Sequence, residues 1–324
     1  MAKRNFYIIL TALIGLIIIG LLIWYFVLKP KEAAAPSAGI DFTVPGQAKR
    51  EINLKVISEG PVISLWQNNS SILFYDFSGQ LWQLNEGELK PTSSGQAPIE
   101  NLSAIIWPKI VSPDGKKVVY QKNNGLFTSD LSGKNQKTLM SDLKLKDVIL
   151  KWPNINNIAL ASKPSGLAAG SLWFLDIRNS NIRKIIGDFF GLEVLFSPDG
   201  GSLIYSYVDQ NGRDLRLAIY KNGNQKIISN VSTLVDKCAW AKDLINIYCA
   251  VPKSWPDFAI LPDDYYKNTF STNDDIWKIN TETGEKTLIF EYIGNISNLA
   301  VSNDESHIFF ILKENQFLYK LNIK

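Results

Sequence analysis

A short motif that returns at a near-constant interval constrains this chain more than any other feature. Val111-Ser112-Pro113-Asp114-Gly115 reappears as Phe196-Ser197-Pro198-Asp199-Gly200. Eroded copies stand at Leu65-Trp66-Gln67-Asn68, Lys151-Trp152-Pro153-Asn154, Ala239-Trp240-Ala241-Lys242-Asp243 and Ala300-Val301-Ser302-Asn303-Asp304. Successive copies lie 41 to 45 residues apart, except that the last interval stretches to 61. A period of this size marks a unit that cannot bury its own apolar face and must stack on copies of itself.

Each unit reads as four strands. An apolar run enters the Ser-Pro-Asp-Gly turn, where Asp-Gly tolerates the backbone of a tight hairpin. A second run follows, as at Val118-Val119-Tyr120 or Ile308-Phe309-Phe310. A third carries an aromatic, as at Leu126-Phe127 or Leu172-Trp173, and a fourth opens on a polar and basic signature such as Asn224-Gln225-Lys226. No long helical period occurs after residue 50, so the class is all-β. The sixth unit ends at Lys324 without a fourth strand, and Asn53-Leu54-Lys55-Val56-Ile57-Ser58 matches Asn224-Gln225-Lys226-Ile227-Ile228-Ser229 in type at all but one place. An open sheet edge is a hazard, and an N-terminal strand lent to the last unit closes the ring. The expected fold is a six-bladed β-propeller closed in this way.

These repeats resemble the TolB-like family of WD40-like propellers over about residues 50–324. The resemblance implies the propeller architecture. Such propellers serve as periplasmic binding proteins, as scaffolds and as accessory domains of peptidases, so fold alone does not choose among those roles.

Before the repeats, Phe6 to Leu28 runs 23 residues without a charge. That suffices to cross a bilayer as a helix, and Trp24 and Tyr25 stand at one end, where such rings favour the interface. The stretch exceeds the apolar core of a cleaved signal, and Lys29 and Lys31 separate it from Ala33-Ala34-Ala35, so an uncleaved anchor is expected. Residues 1–31 thus read as a cytoplasmic stub and transmembrane α-helix, 32–49 as a linker and 50–324 as an extracytoplasmic propeller. Lys3 and Arg4 tip the N-terminus toward the cytoplasm. The formal charge of +3 comes entirely from residues 1–32, and the rest balances 30 basic against 30 acidic side chains. No basic field points to nucleic acid.

Chemistry is sparse. His307 is the only histidine and opens an apolar strand; no Gly-x-Ser-x-Gly elbow, phosphate loop, dinucleotide fingerprint or Cys/His metal spacing occurs. No cofactor or metal is expected, and His307 is read as structural rather than as a catalytic base. Adjacent carboxylates at Asp263-Asp264 and Asp274-Asp275 leave one enzymatic alternative: an extracytoplasmic carboxylate-dependent hydrolase using the insertion at 252–275.

That insertion, within the fifth unit, holds Trp255, Asp257, Phe258, Asp263, Asp264, Tyr265, Tyr266 and Phe270. It joins a second strand to a third, which places it on the face of the inter-blade connections, around the central channel. Aromatics beside acids suit a protein, peptide or glycan of the cell envelope. The competing reading is a strap whose rings pack onto its own blade. The smaller loop at 162–171 is read as cover. Cys238 and Cys249 flank the hairpin turn at Asp243-Leu244, and a symmetric register sets them opposite each other, within reach of a disulfide. Two buried thiols are the alternative.

Overall fold

The computed structural model describes residues 54–91 and 109–324, apart from positions 69, 70, 79, 86, 87, 146, 147 and 293. The apolar segment at 6–28 and the linker at 32–49 lie outside the described residues, so the expected transmembrane helix does too. Among the described residues no helix is long and apolar enough to cross a membrane.

The described chain is nearly all β. Strand β1 is Leu54–Val56. Strands β2 to β5 (Val62–Asn68, Ser71–Asp76, Leu81–Asn85, Glu88–Pro91) form one four-stranded antiparallel sheet. Strands β6 to β9 (Lys109–Val111, Lys117–Lys122, Gly125–Asp130, Lys137–Met140) form a second. A seven-stranded sheet follows, β10 to β16: Val148–Asn154, Asn157–Ser162, Ala169–Asp176, Ile182–Phe196, Ser202–Val208, Arg216–Lys221 and Asn224–Ile228. Strands β17 to β20 (Cys238–Trp240, Asn246–Pro252, Asp274–Asn280, Lys286–Glu291) make the next sheet. The last contains β21 (Ile296–Val301), β22 (His307–Leu312), β23 (Leu318–Asn322) and β1.

The seven-stranded sheet departs from the expected run of separate four-stranded units. Strand β13 is 15 residues long. From Ile182 to Phe190 it pairs with β12 as a fourth strand, and from Phe190 to Phe196 it pairs with β14 as the first strand of the next unit. The changeover falls at a register break between Phe190 and Glu193, where Gly191 takes a φ of 63°. No proline interrupts Ile185 to Val194, and the positive φ values of Asp188 and Gly191, 67° and 63°, shift the register without ending the strand.

Strand β1 supplies the strand missing from the other end. Leu54, Lys55 and Val56 pair with Leu321, Lys320 and Tyr319. The link continues where the Ile57 amide donates to the Leu318 carbonyl at 2.9 Å and the Leu318 amide donates to Ser58 Oγ at 3.0 Å. The two ends of the described chain thereby share one sheet, which covers the edge of β23.

The repeat motif is a turn built by its own side chains. Ser112 Oγ donates to Asp114 at 2.6 Å, Ser197 Oγ to Asp199 at 2.5 Å and Ser302 Oγ to Asp304 at 2.7 Å. The same serine oxygens accept from the returning backbone, at Lys117, Ser202 and His307. Gly200 has a φ of 68° and a Cβ there would meet the Pro153 carbonyl at 2.1 Å, so this position admits only glycine. In the eroded copies Leu244 and Glu305 occupy positive φ values of 58° and 52° without that freedom.

Apolar layers fill the space between neighbouring sheets. Phe290 and Tyr248 of one sheet pack with Phe310, Tyr319 and Leu321 of the next. Phe309 and Leu318 pack in turn against Val62, Ile72 and Phe74, so the last sheet contacts the first. The first strands lie side by side: β21 touches both β17 and β2, and β6 touches β10. Cys238 and Cys249 are cross-strand partners on β17 and β18 and form a disulfide. The symmetric hairpin register is what brings them together.

Candidate functional site

The insertion between β18 and β19 folds as an anchored strap with an exposed tip. A single helical turn, α1 (Asp263–Tyr266), sits at its centre. Two of the three acids expected to greet a ligand, Asp263 and Asp264, are engaged in holding it. Asp263 accepts from the Gly166 amide at 2.6 Å and from Ser165 Oγ at 3.2 Å, tying the strap to the β11–β12 loop. A Cβ on Gly166 would meet the Leu261 carbonyl at 2.3 Å, so the two loops meet as closely as a glycine allows. Asp264 accepts from the Ile260 amide at 2.8 Å. The loop at 162–171, expected as loose cover, is thus one side of a built junction.

The rings divide between the two readings. Tyr265 is fully buried. Its hydroxyl donates to Asn295 Oδ1 at 3.2 Å, and the ammonium of Lys313 lies 3.6 Å from its ring centroid while donating to its carbonyl at 2.8 Å. Tyr265, expected to face a ligand, instead fills the base of the strap with its ring. Trp255 is half-buried, edge-on to Tyr265 and Phe270, and its indole donates to the Ser232 carbonyl at 3.1 Å. Phe258 and Tyr266 face outward at 68% and 44% exposure, and Leu167 on the partnering loop is 65% exposed. Asp257 is exposed. These three apolar side chains and one acid form the outer surface of the junction.

Beneath the strap lies a titratable cluster that the sequence reading passed over. Its members stand on or just before first strands: Lys151 on β10, Glu193 on β13, and Asp236 and Lys237 on the 3-10 turn Val235–Lys237 that leads into β17. Lys237 is completely buried and donates to Asp274 Oδ2 at 2.6 Å, Asn295 Oδ1 at 2.9 Å, the Ile296 carbonyl at 2.8 Å and Thr272 Oγ1 at 3.2 Å. Asp274, also fully buried, accepts the Ile296 amide at 2.8 Å. The second acidic pair is therefore divided. Asp274 holds this network, and Asp275 lies 3.4 Å from Lys253 at the edge of the sheet.

Glu193 is 9% exposed, and burial, reinforced by the charge of Asp236, lifts its carboxyl to about 8. Burial likewise raises Asp236, against the pull of Lys237 and Lys313. The Tyr266 side chain reaches both carboxyls; its desolvated hydroxyl, with their charges beside it, titrates well above the ordinary phenol range. Burial lowers Lys151, though Glu193 opposes that, and brings Lys313 down to about 8. A carboxyl held protonated near neutrality can donate a hydrogen bond or exchange its proton for another cation. The signal in the sequence was a charge inside an apolar run, Leu192-Glu193-Val194-Leu195 and Ile149-Leu150-Lys151-Trp152, on the innermost strand of a repeat. His307, half-buried and bonded to Ser306, lies on the opposite end of its strand from this cluster.

No known protein-family profile matches the chain, and no curated protein matches it. Solved structures do. An oligogalacturonate lyase in complex with manganese superposes with a TM-score of 0.51 at 11% identity, covering 82% of this chain and 78% of that one. TolB from Acinetobacter baumannii gives a TM-score of 0.41 at 14% identity, over 81% of this chain and 63% of that one. The tricorn protease gives 0.45 at 12% identity, over 80% of this chain but only 24% of the protease. This chain thus spans about a quarter of the tricorn protease chain. At these identities likeness carries the fold alone. The sheets and the match to the lyase define a nearly all-β protein of propeller type.

Proposed function

We propose that this chain is a single-pass, membrane-anchored protein whose six-bladed propeller lies outside the cytoplasm and binds a protein, peptide or glycan of the cell envelope without transforming it. The observation that carries the binding reading is the exposure of Leu167, Phe258 and Tyr266 on two loops locked together by Asp263. Exposed apolar side chains on a rigid base contribute contact area at low ordering cost. The disulfide fits an oxidising compartment, and the uncharged segment from Phe6 to Leu28 fits an anchor in the bilayer. Six units follow from the repeat count, with β13 shared by two of them and β1 completing the last.

The non-catalytic side of the reading is supported by the bonding of Asp263 and Asp264 to backbone amides, which commits that carboxylate pair to structure. The hydrolase alternative, moved to different residues, finds support in Glu193 and Asp236, two carboxyls near enough to act on each other and both raised by burial. Peptide and glycan arrays probed with the full chain, with recovered species weighed by mass spectrometry, separate the two. Retention of unchanged species supports binding, and shortened products support hydrolysis.

A further inference from the structure

The surface that carries Leu167, Phe258 and Tyr266 offers hydrocarbon outward and turns inward the polar groups of its rings and its paired acids. The Trp255 indole donates to the Ser232 carbonyl at 3.1 Å, and the Tyr266 side chain bonds the buried carboxyls of Glu193 and Asp236. Asp263 and Asp264 accept from backbone amides, so Asp257 is the strap's one exposed acid. The apolar groups adjoin one another. Ring centroids stand 6.5 Å apart from Phe258 to Phe270, 6.3 Å from Phe270 to Tyr265 and 5.4 Å from Tyr265 to Tyr266. A Cβ on Gly166 would meet Ile260 Cγ2 at 3.0 Å, so the residue before Leu167 already touches the strap's hydrocarbon.

That composition narrows the partner. A glycan buries hydroxyls, and each needs a partner in the interface or costs its full desolvation. The indole, the phenol and two of the three acids that could supply one are already spent within the molecule. Charge gives no preference to an ionic partner: Lys163, Lys253 and Lys267 balance Asp257, Asp263 and Asp264 across the two loops. A lipid surface also offers hydrocarbon, but apolar patches that rest on membranes are flanked by a basic excess, which this balance lacks. The chain also enters the last sheet from the other end. The strap is fastened ahead of β23, where Ser271 Oγ donates to Glu314 at 2.7 Å and Lys313 to the Tyr265 carbonyl at 2.8 Å. Leu54, following on from the apolar segment at 6–28, lies instead against Leu321 near the far end of β23.

We infer that this surface binds an apolar stretch of polypeptide, whose aliphatic and aromatic side chains pack on Leu167, Phe258 and Tyr266. This rests on the binding reading above and names the partner class. A polypeptide brings side chains without polar atoms, and an apolar centre inside a polar rim is how such contacts exclude water. The base needs no rearrangement, since Asp263 and the Gly166 amide already lock the two loops at 2.6 Å.

Full chain in lipid nanodiscs, applied to an array of short peptides of defined sequence and to a glycan array, tests this. The expected result is retention of peptides rich in aliphatic and aromatic residues. Replacing those residues by Ser weakens a selected peptide by ~10-fold or more. Leu167→Ser or Phe258→Ser in the protein weakens it by ~10-fold or more as well, with thermal unfolding recorded to show that each variant folds. Raising NaCl from about 0.1 M to about 1 M changes the affinity by less than ~2-fold, as an uncharged contact requires. Bimane attached at Ala168→Cys, an exposed position on the partnering loop, stays unquenched by spin-labelled phosphatidylcholine in the same nanodiscs. No retained peptide, equal retention by both folded variants, or loss of binding in high salt overturns the inference. Quenching at position 168 overturns it in favour of a lipid surface. Glycans retained in place of peptides remove this inference and leave the binding reading standing, and arrays blank in both classes remove both.

Discussion

Lys237 and Asp274 form an ion pair of 2.6 Å with no solvent exposure on either side chain. Each is surrounded by further partners, so the pair joins the turn before β17 to the start of β19 and to Asn295 before β21. Its contribution lies in the consequence of breaking it. Removing one member of a buried pair strands the other charge and typically costs ~3–5 kcal/mol. Lys237→Met and Asp274→Asn are each expected to lose about that much in urea unfolding, and the double variant less than the sum of the two. Additive losses would show that the residues act independently.

The strap separates two kinds of ring. Trp255 packs on Tyr265 and Phe270, and truncation to Ala is expected to destabilise the fold by ~2–4 kcal/mol. Phe258→Ala removes a ring that is 68% exposed, and its unfolding midpoint should stay within ~0.5 kcal/mol of wild type. Thermal unfolding of the two side by side checks the division, and equal losses would refute it.

Much of this architecture was legible in the sequence because its signals are local or periodic. The Ser-Pro-Asp-Gly turns, the strand at Leu54–Val56 that joins the last sheet and the opposition of Cys238 to Cys249 each follow from a short stretch and a count. The candidate site was legible only in part. Phe258 and Tyr266 are exposed as a ligand surface requires, while Tyr265 is buried because Lys313, Lys237 and Asn295 close around it from distant segments. The engagement of Asp263 by Gly166 joins loops 97 residues apart, and no local pattern announces such a pairing. Glu193 and Asp236 meet for the same reason, through the side-by-side placement of first strands. The continuous strand β13 was missed because the spacing of repeats does not reveal whether a turn or a strand connects them.

The disulfide closes a loop of 11 residues. So short a loop restricts the unfolded chain modestly, and replacing both cysteines by Ala should cost ~2–3 kcal/mol. Alkylation of unreduced, denatured protein followed by mass measurement should find neither thiol modified. Two modified thiols would contradict the pairing.

Strand β1 is held to β23 by three residue pairs and by the bonds at Ile57 and Ser58. A chain beginning at Gly60 exposes the edge of β23 and uncovers the apolar layer against which Leu54 and Val56 rest. Its thermal midpoint should fall relative to the full chain, together with the β22–β23 amide protection measured by hydrogen exchange. An unchanged midpoint would show that the last sheet does not need its borrowed strand.

Stability should also depend on pH in a direction set by Glu193. Folded, its carboxyl keeps the proton up to about 8, whereas in the unfolded chain it ionises near ~4.3. Across that window the folded state holds the extra proton, so stability falls as pH rises, and raised Asp236 adds to the same trend. Lys313, lowered to about 8, acts oppositely: from there to ~10.4 the unfolded chain binds the extra proton and stability rises with pH. Urea unfolding across this range should show Glu193→Gln flattening the fall below about pH 8 while leaving the rise above it. An identical profile in the variant would remove Glu193 as its cause.

The binding account is tested most directly by measuring retention of array-selected peptides or glycans by the full chain and by its Phe258→Ala, Tyr266→Ala double variant, with every recovered species weighed. The account predicts that wild type returns the species at unchanged mass, and that the double variant, shown by cooperative thermal unfolding to be folded at the assay temperature, binds ~10-fold or more weakly. Equal retention by the double variant, or species returned shortened, would contradict it.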